Sequence, residues 1–215
     1  MTFELRYRLL LAARSRAALA PAAVWLFVLA GVYAYKPNEV RGSLGITALL
    51  LVPITAWLAV GLSHAEPAPQ RELLATRSPA ASLALTAGAV AILGAALGAI
   101  DIACPIAARS FEHHPSAADI ATAVAAHAGC AAYGAALGTL AGARLVSRPA
   151  VAFAALATLA IVSVPLFELA PALSPAAWTA DALLNGGAIA GPFVALAVHA
   201  SAVVALAGLA LKRVP

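Results

Sequence analysis

Asp101, His127 and His199 each sit within or at the edge of long apolar stretches, which makes them the first places to look for chemistry. An ionised acid surrounded by apolar groups must be paired, neutralised or wet. Asp101 closes a charge-free run, so one reading puts it at the edge of that run beside water. The other makes it a functional acid inside a membrane, with His127 reaching it from the neighbouring helix. A solitary histidine in an apolar helix usually makes a helix–helix hydrogen bond, which is the reading for His199. Glu112-His113-His114 offers metal-ligand chemistry, but two adjacent histidines cannot share one helical face and no further ligand stands at a suitable spacing. A solvated loop with no metal is the expectation there. Cys104 and Cys130 fall at depths about 15 Å apart if they lie on adjacent helices, too far for a disulfide.

Other chemistries lack their motifs. The lysines are Lys36 and Lys212, and neither follows a G-x-x-x-x-G phosphate loop. There is also no H-E-x-x-H and no G-x-S-x-G. Catalysis by this chain alone, or a cofactor bound by it, is not expected.

The elements that must hold these residues follow from composition. Of 215 residues 63% are hydrophobic and 10% charged, and the mean hydropathy is +0.95. A soluble domain has about 25% charged residues. Collagenous, disordered and disulfide-framework classes fail for want of a glycine period, a polar tract or enough cysteines. An integral membrane protein remains. The 61 alanines, and 11 arginines against 2 lysines, fit the usage of a GC-rich bacterial genome, which points to a bacterial cell membrane.

Six windows lack Asp, Glu, Lys and Arg: 17–35, 42–65, 78–100, 120–143, 149–167 and 182–211. About 20 apolar residues cross a bilayer core. The expectation is therefore an all-α bundle of six transmembrane helices over about 17–35, 43–63, 79–101, 120–143, 149–167 and 188–211. A barrel would need alternating strands, which are not seen. Ser78-Pro79 and the capping box Ser116-x-x-Asp119 mark helix starts. Ser174-Pro175 opens a short helix that should end at Asn185-Gly186-Gly187. On a helical wheel over 1–16, Phe3, Tyr7, Leu10 and Leu11 share a face away from Arg6, Arg8 and Arg16, so this segment reads as an interfacial helix.

Even span number puts both termini on one side. With both in the cytoplasm, ten basic residues lie inside (Arg6, Arg8, Arg14, Arg16, Arg71, Arg77, Arg144, Arg148, Lys212, Arg213) and three outside (Lys36, Arg41, Arg109). That satisfies the positive-inside bias. The net charge of +4 then reflects topology and contact with membrane lipid, and no basic patch interleaved with aromatics points to nucleic acid. Segment 64–78 becomes the main cytoplasmic connection and 168–187 an extracellular one. Gly94 and Gly98, and Gly134, Gly138 and Gly142, stand at close-packing spacing. Their first reading is packing within the bundle, their second a dimer face.

The layout and the run Arg71-Glu72-Leu73-Leu74-Ala75-Thr76-Arg77-Ser78-Pro79 resemble the permease subunits of type-2 ABC exporters. In that family such a stretch forms the coupling helix that docks on the ATP-binding subunit. The resemblance implies that Gln70, Arg71, Glu72, Leu73, Leu74, Thr76 and Arg77 face that partner. It also implies a second permease, identical or homologous, with ATP and Mg held on the partner subunits. The cargo would be a lipid, drug, antibiotic or peptide. Two rivals stand beside it. One is the substrate-binding membrane subunit of a vitamin importer, disfavoured by 6% aromatics and the absence of Asn and Gln between Gln70 and Asn185. The other is a small membrane enzyme or assembly factor using Asp101, His127 and Asp119.

Overall fold

The structure is a computed structural model that describes residues 3–67, 69, 79–142, 175–185, 187 and 190–212. The window 149–167 and the segment 70–77 lie outside the described residues, and with them the expected fifth span and the expected coupling segment. Among the described residues there is no strand. The elements are α1 (Phe3–Arg14), a 3-10 turn (Arg16–Ala18), α2 (Leu19–Tyr33), α3 (Val40–Ala65), α4 (Pro79–Ala107), α5 (Ala117–Leu140), α6 (Pro175–Leu184) and α7 (Ala190–Lys212). Four stretches are long and apolar enough to cross a membrane: Arg16–Tyr33, Val40–Ala65, Ala81–Ala107 and Ala117–Leu140. This is a helical membrane protein.

Most boundaries follow the charges. One does not: α4 runs on past Asp101 to Ala107. The expectation that Asp101 ends its helix fails because its carboxylate is paired inside the bundle. The helix then stops where Arg109 adopts φ 51°, a left-handed turn conformation. At the start of α5 the capping box is complete. Ser116 Oγ accepts from the Asp119 backbone N–H at 3.2 Å, and Asp119 Oδ2 accepts from the Ser116 N–H at 3.0 Å. Asp119 also accepts from Arg41 Nε of α3 at 2.6 Å, which ties two helix ends together.

α3 is the central element; 67% of its most apolar window is buried, against 17% for the stretch that contains α2. One face of α3 carries Ala48, Val52, Ala56 and Ala59, the other Leu51, Ile54 and Leu58, and all are buried. Its hydroxyls stay local. Thr47 and Thr55 donate to carbonyls three or four residues back on their own helix. That satisfies a buried hydroxyl without asking anything of a neighbour. α2 lies at the periphery and is anchored by Trp25, fully buried, whose indole N–H donates to the Leu97 carbonyl at 3.3 Å. Leu19, Val24, Leu26 and Phe27 of the same helix are exposed, an apolar surface suited to lipid.

The glycine spacing serves contacts inside the bundle. A methyl group at Gly134 would come within 2.1 Å of Thr55 Oγ1 and 2.3 Å of the Val52 carbonyl oxygen; at Gly138 it would come within 2.1 Å of the Ala56 carbonyl oxygen. α3 and α5 therefore meet backbone to backbone, which only a residue without Cβ permits. Gly94 faces Thr55 and Ala131, and Gly142 faces Ser63. Gly138→Val should lower stability by about 1–3 kcal/mol or more through forced separation of the helices. Gly88→Ala, with nothing within 4 Å, should stay within about 0.5 kcal/mol of wild type. Thermal unfolding of both variants in one detergent checks the contrast; equal losses would contradict this packing.

Candidate functional site

Among the described residues two groups of interacting polar side chains are buried in the bundle, one at each end. At the end away from α1, Asp101 of α4 and His127 of α5 are 0% and 2% exposed. His127 Nε2 lies 2.5 Å from Asp101 Oδ2, and Thr47 Oγ1 of α3 lies 3.3 Å from the same nitrogen. His127 Nδ1 sits 2.8 Å from the Ala123 carbonyl oxygen. A carbonyl can only accept, so Nδ1 carries a proton. The short contact at Nε2 needs a proton too. Thr47 gives its hydroxyl proton back to its own helix and so can only accept from Nε2. The short contact is satisfied with that proton on either Nε2 or Oδ2, and the pair is neutral overall in both cases.

The helices are shaped for this contact. Gly98 lies one turn before Asp101, and a methyl group there would meet His127 Cβ at 2.9 Å. The missing Cβ is what lets the imidazole lie against α4. Tyr33, at the end of α2, completes the group. Its hydroxyl lies beside Asp101 and Thr47 but falls short of hydrogen-bond geometry. Tyr33 Oη and Asp101 Oδ1 are both buried without a partner among the described residues. Tyr33 also receives the ring of Phe111 edge-on, with centroids 5.4 Å apart.

At the α1 end, Arg8 is 2% exposed. Its guanidinium donates to Glu66 Oε2 at 3.4 Å, just past the end of α3, and to Ser82 Oγ at 2.7 Å, in the first turn of α4. Arg8 was expected on the solvent side of α1. It turns inward instead, with Ala12, because a buried Glu66 carboxylate needs a cation. Phe3 and Leu10 remain exposed. Nearby, burial and then the Glu66 carboxylate push the Tyr7 phenol above its usual range, with Arg8 opposing.

The remaining sequence candidates separate from these groups. His199 is half-buried in α7; its Nδ1 lies 2.8 Å from the Ala195 carbonyl, and its ring meets Tyr133 edge-on. Glu112, His113 and His114 are exposed and line a cavity of about 340 Å³ with Arg109 and Phe111. Among the described residues no cluster of three His, Cys, Asp or Glu could hold a metal. Cys104 is exposed and Cys130 buried, both free. Gln70, Arg71, Glu72, Leu73, Leu74, Thr76 and Arg77 lie outside the described residues.

Sequence reasoning singled out neither Tyr33 nor Thr47, and it did not see the Arg8–Glu66–Ser82 group. Tyr33 and Thr47 resemble any other residues near helix ends. Arg8 and Glu66 carried a signal in principle, since both flank apolar helices that must pack together.

The chain matches no protein-family model, no curated protein and no solved structure.

Removing one partner of a buried pair leaves an uncompensated charge, which costs about 3–5 kcal/mol. His127→Ala should therefore destabilise the bundle strongly at neutral pH. The double variant Asp101→Asn/His127→Gln should lose less than His127→Ala alone, because no charge is stranded. Unfolding midpoints in detergent read this directly, and additive losses would contradict the pairing.

Proposed function

We propose that the chain is the membrane-spanning permease subunit of an ATP-driven ABC exporter, carrying a hydrophobic or amphipathic cargo such as a lipid, drug, antibiotic or peptide. It hydrolyses nothing itself. ATP and Mg belong to separate ATP-binding subunits, and a second permease, identical or homologous, completes the path. In this reading window 149–167 supplies the fifth span and α7 the sixth, α1 lies along the cytoplasmic surface, and both termini are cytoplasmic.

One observation carries the reading further than the layout does. Arg8 holds Glu66 and Ser82, and these two residues bracket the segment read as the coupling element. A motor can drive a membrane partner only through an element whose ends are fixed to the helices it moves. The Arg8 clasp supplies that fixing: a push on 67–81 reaches α1, α3 and α4 together. The short helix α6 before α7 also occupies the place of the family's extracellular helices before the last span. The exposed apolar face of α2 suits contact with lipid.

The membrane-enzyme alternative needs a substrate to reach Asp101 and His127. Both are 2% exposed or less, so the conformation described gives a substrate no access to them.

Co-expression with an ATP-binding subunit encoded beside the gene, if the neighbourhood holds one, provides the test. The chain should co-purify with that subunit, and Arg71→Glu/Arg77→Glu should abolish the association. Arg8→Glu should leave ATP hydrolysis running but cut transport about tenfold, and Arg8→Glu/Glu66→Arg should recover part of it by restoring an opposite-charge pair. Purification as a lone protein that captures no nucleotide-binding subunit would remove this reading.

A further inference from the structure

α1 sorts its side chains differently from a wheel that sets polar against apolar. Arg8 and Ala12 face the bundle, 2% and 1% exposed. Tyr7 and Leu11, expected on the outward apolar face, are half-buried. Phe3, Arg6, Leu10, Ala13 and Arg14 are all exposed. At 3.6 residues per turn these five fall within about 100° of arc, on the side opposite Arg8 and Ala12. Apolar anchors and arginines therefore alternate along one strip. Arg6 and Arg14 stand about 12 Å apart on it. Arg16, also exposed, follows in the 3-10 turn.

The strip has charge that the described chain leaves unanswered. Glu4 is the acid of α1, and it is half-buried outside the strip. Glu66 is buried and held by Arg8. Among the described residues no salt bridge uses Arg6, Arg14 or Arg16. Topology bias alone needs arginines on the correct side of the membrane, on any face of the helix. It does not call for them to be interleaved with an exposed Phe3 and Leu10.

The surroundings say what covers the strip. α1 leads through the 3-10 turn straight into α2, whose stretch Arg16–Tyr33 is long and apolar enough to span a bilayer. Leu19, Val24, Leu26 and Phe27 leave that span with an exposed apolar surface. Lipid that covers α2 thus reaches the level of α1 at its surface. There Phe3 and Leu10 can enter the acyl boundary, while each arginine lays its stem on apolar surface and lifts its head into the phosphate layer. A guanidinium grips a phosphate with two parallel hydrogen bonds. A zwitterionic headgroup sets an ammonium beside that phosphate, and an anionic one does not. We infer that the strip Phe3–Arg6–Leu10–Arg14 is a binding surface for anionic phospholipid headgroups.

The inference needs a bilayer around the spans and not the permease reading, so it survives the failure of that reading. Quenching by brominated lipid, with the full chain in liposomes, tests it. Phe3→Trp keeps an aromatic anchor and puts a reporter on the strip, and the wild-type chain with Trp25, Trp57 and Trp178 supplies the background. Brominated phosphatidylglycerol should quench the reporter at a mole fraction about fivefold or more below that of brominated phosphatidylcholine, the effect of one arginine near a charged surface. About 1 M salt, which shortens the screening length to about 3 Å, should remove most of this preference. Arg6→Gln/Arg14→Gln should bring the ratio to about one. Lys36→Gln/Arg109→Gln, at exposed cations of the other end, should leave it unchanged. Leu10→Gln should weaken quenching by both lipids. Equal quenching by the two lipids overturns the anionic preference, and so does a preference that salt does not reduce; neither result needs a variant beyond the reporter. A preference abolished by Lys36→Gln/Arg109→Gln overturns the assignment to α1, and unchanged quenching in Leu10→Gln overturns insertion of the strip. A reporter that neither lipid quenches, with α1 cross-linking to a second copy or to another subunit, shows that protein covers the strip and overturns the proposal.

Discussion

The structure depends on how closely α3 and α5 approach. Gly134 and Gly138 lay their Cα atoms against the carbonyls of Val52 and Ala56, with no room for a methyl group. In a bilayer, lipid tails are as apolar as leucine, so helices gain little by burying apolar side chains against each other. Dispersion between well-fitted surfaces must supply the attraction, and it falls off steeply with distance. Once α3 and α5 are in register, Thr47 stands beside His127. Once Gly94 and Gly98 let α4 lie in the same groove, Asp101 stands beside it too. The small residues set the distances on which the polar contacts rely.

Those polar contacts lie at opposite ends of the bundle. Arg8–Glu66 closes the α1 end, while Asp101–His127 and the more exposed Arg41–Asp119 pair hold the other. Arg8–Glu66 and Arg41–Asp119 join elements that are not neighbours in sequence, while Asp101–His127 joins consecutive helices. Exposed Arg41 adds little stability, since such pairs contribute about 0–1 kcal/mol. The two buried pairs differ in kind. A buried ion pair gains little over an apolar core of the same shape, yet losing one member is severe. Their effect is thus to penalise misplaced helices more than to stabilise the correct arrangement.

Much of this was readable from the residues. Charge placement located the described spans to within a few residues, because a charge in lipid is expensive whatever the fold. Ser116 and Asp119 announced the start of α5 through local hydrogen bonds alone. The pairing of His127 with Asp101 was also within reach, as two ionisable groups on consecutive helices. What misled was the assumption that a charge ends a span. Asp101 does not, since its partner removes the cost. The inward turn of Arg8 was hidden for a related reason: a helical wheel sorts residues by polarity and cannot know that Glu66 waits on another helix. Tyr33 and Thr47 depend wholly on tertiary packing, which no local pattern encodes.

The position of Asp101 also bears on how the chain enters the membrane. An unpaired acid raises the cost of inserting a helix, by about 3 kcal/mol at the centre of a span and by less towards its end, where Asp101 lies. Its partner lies on the very next helix, after a connection of nine residues from 108 to 116. α4 and α5 can therefore enter as a hairpin with the charge already answered, onto α2 and α3, which leave the ribosome first and carry Tyr33 and Thr47. The pair that sits quietly in the finished bundle also lowers the cost of bringing its two helices in together.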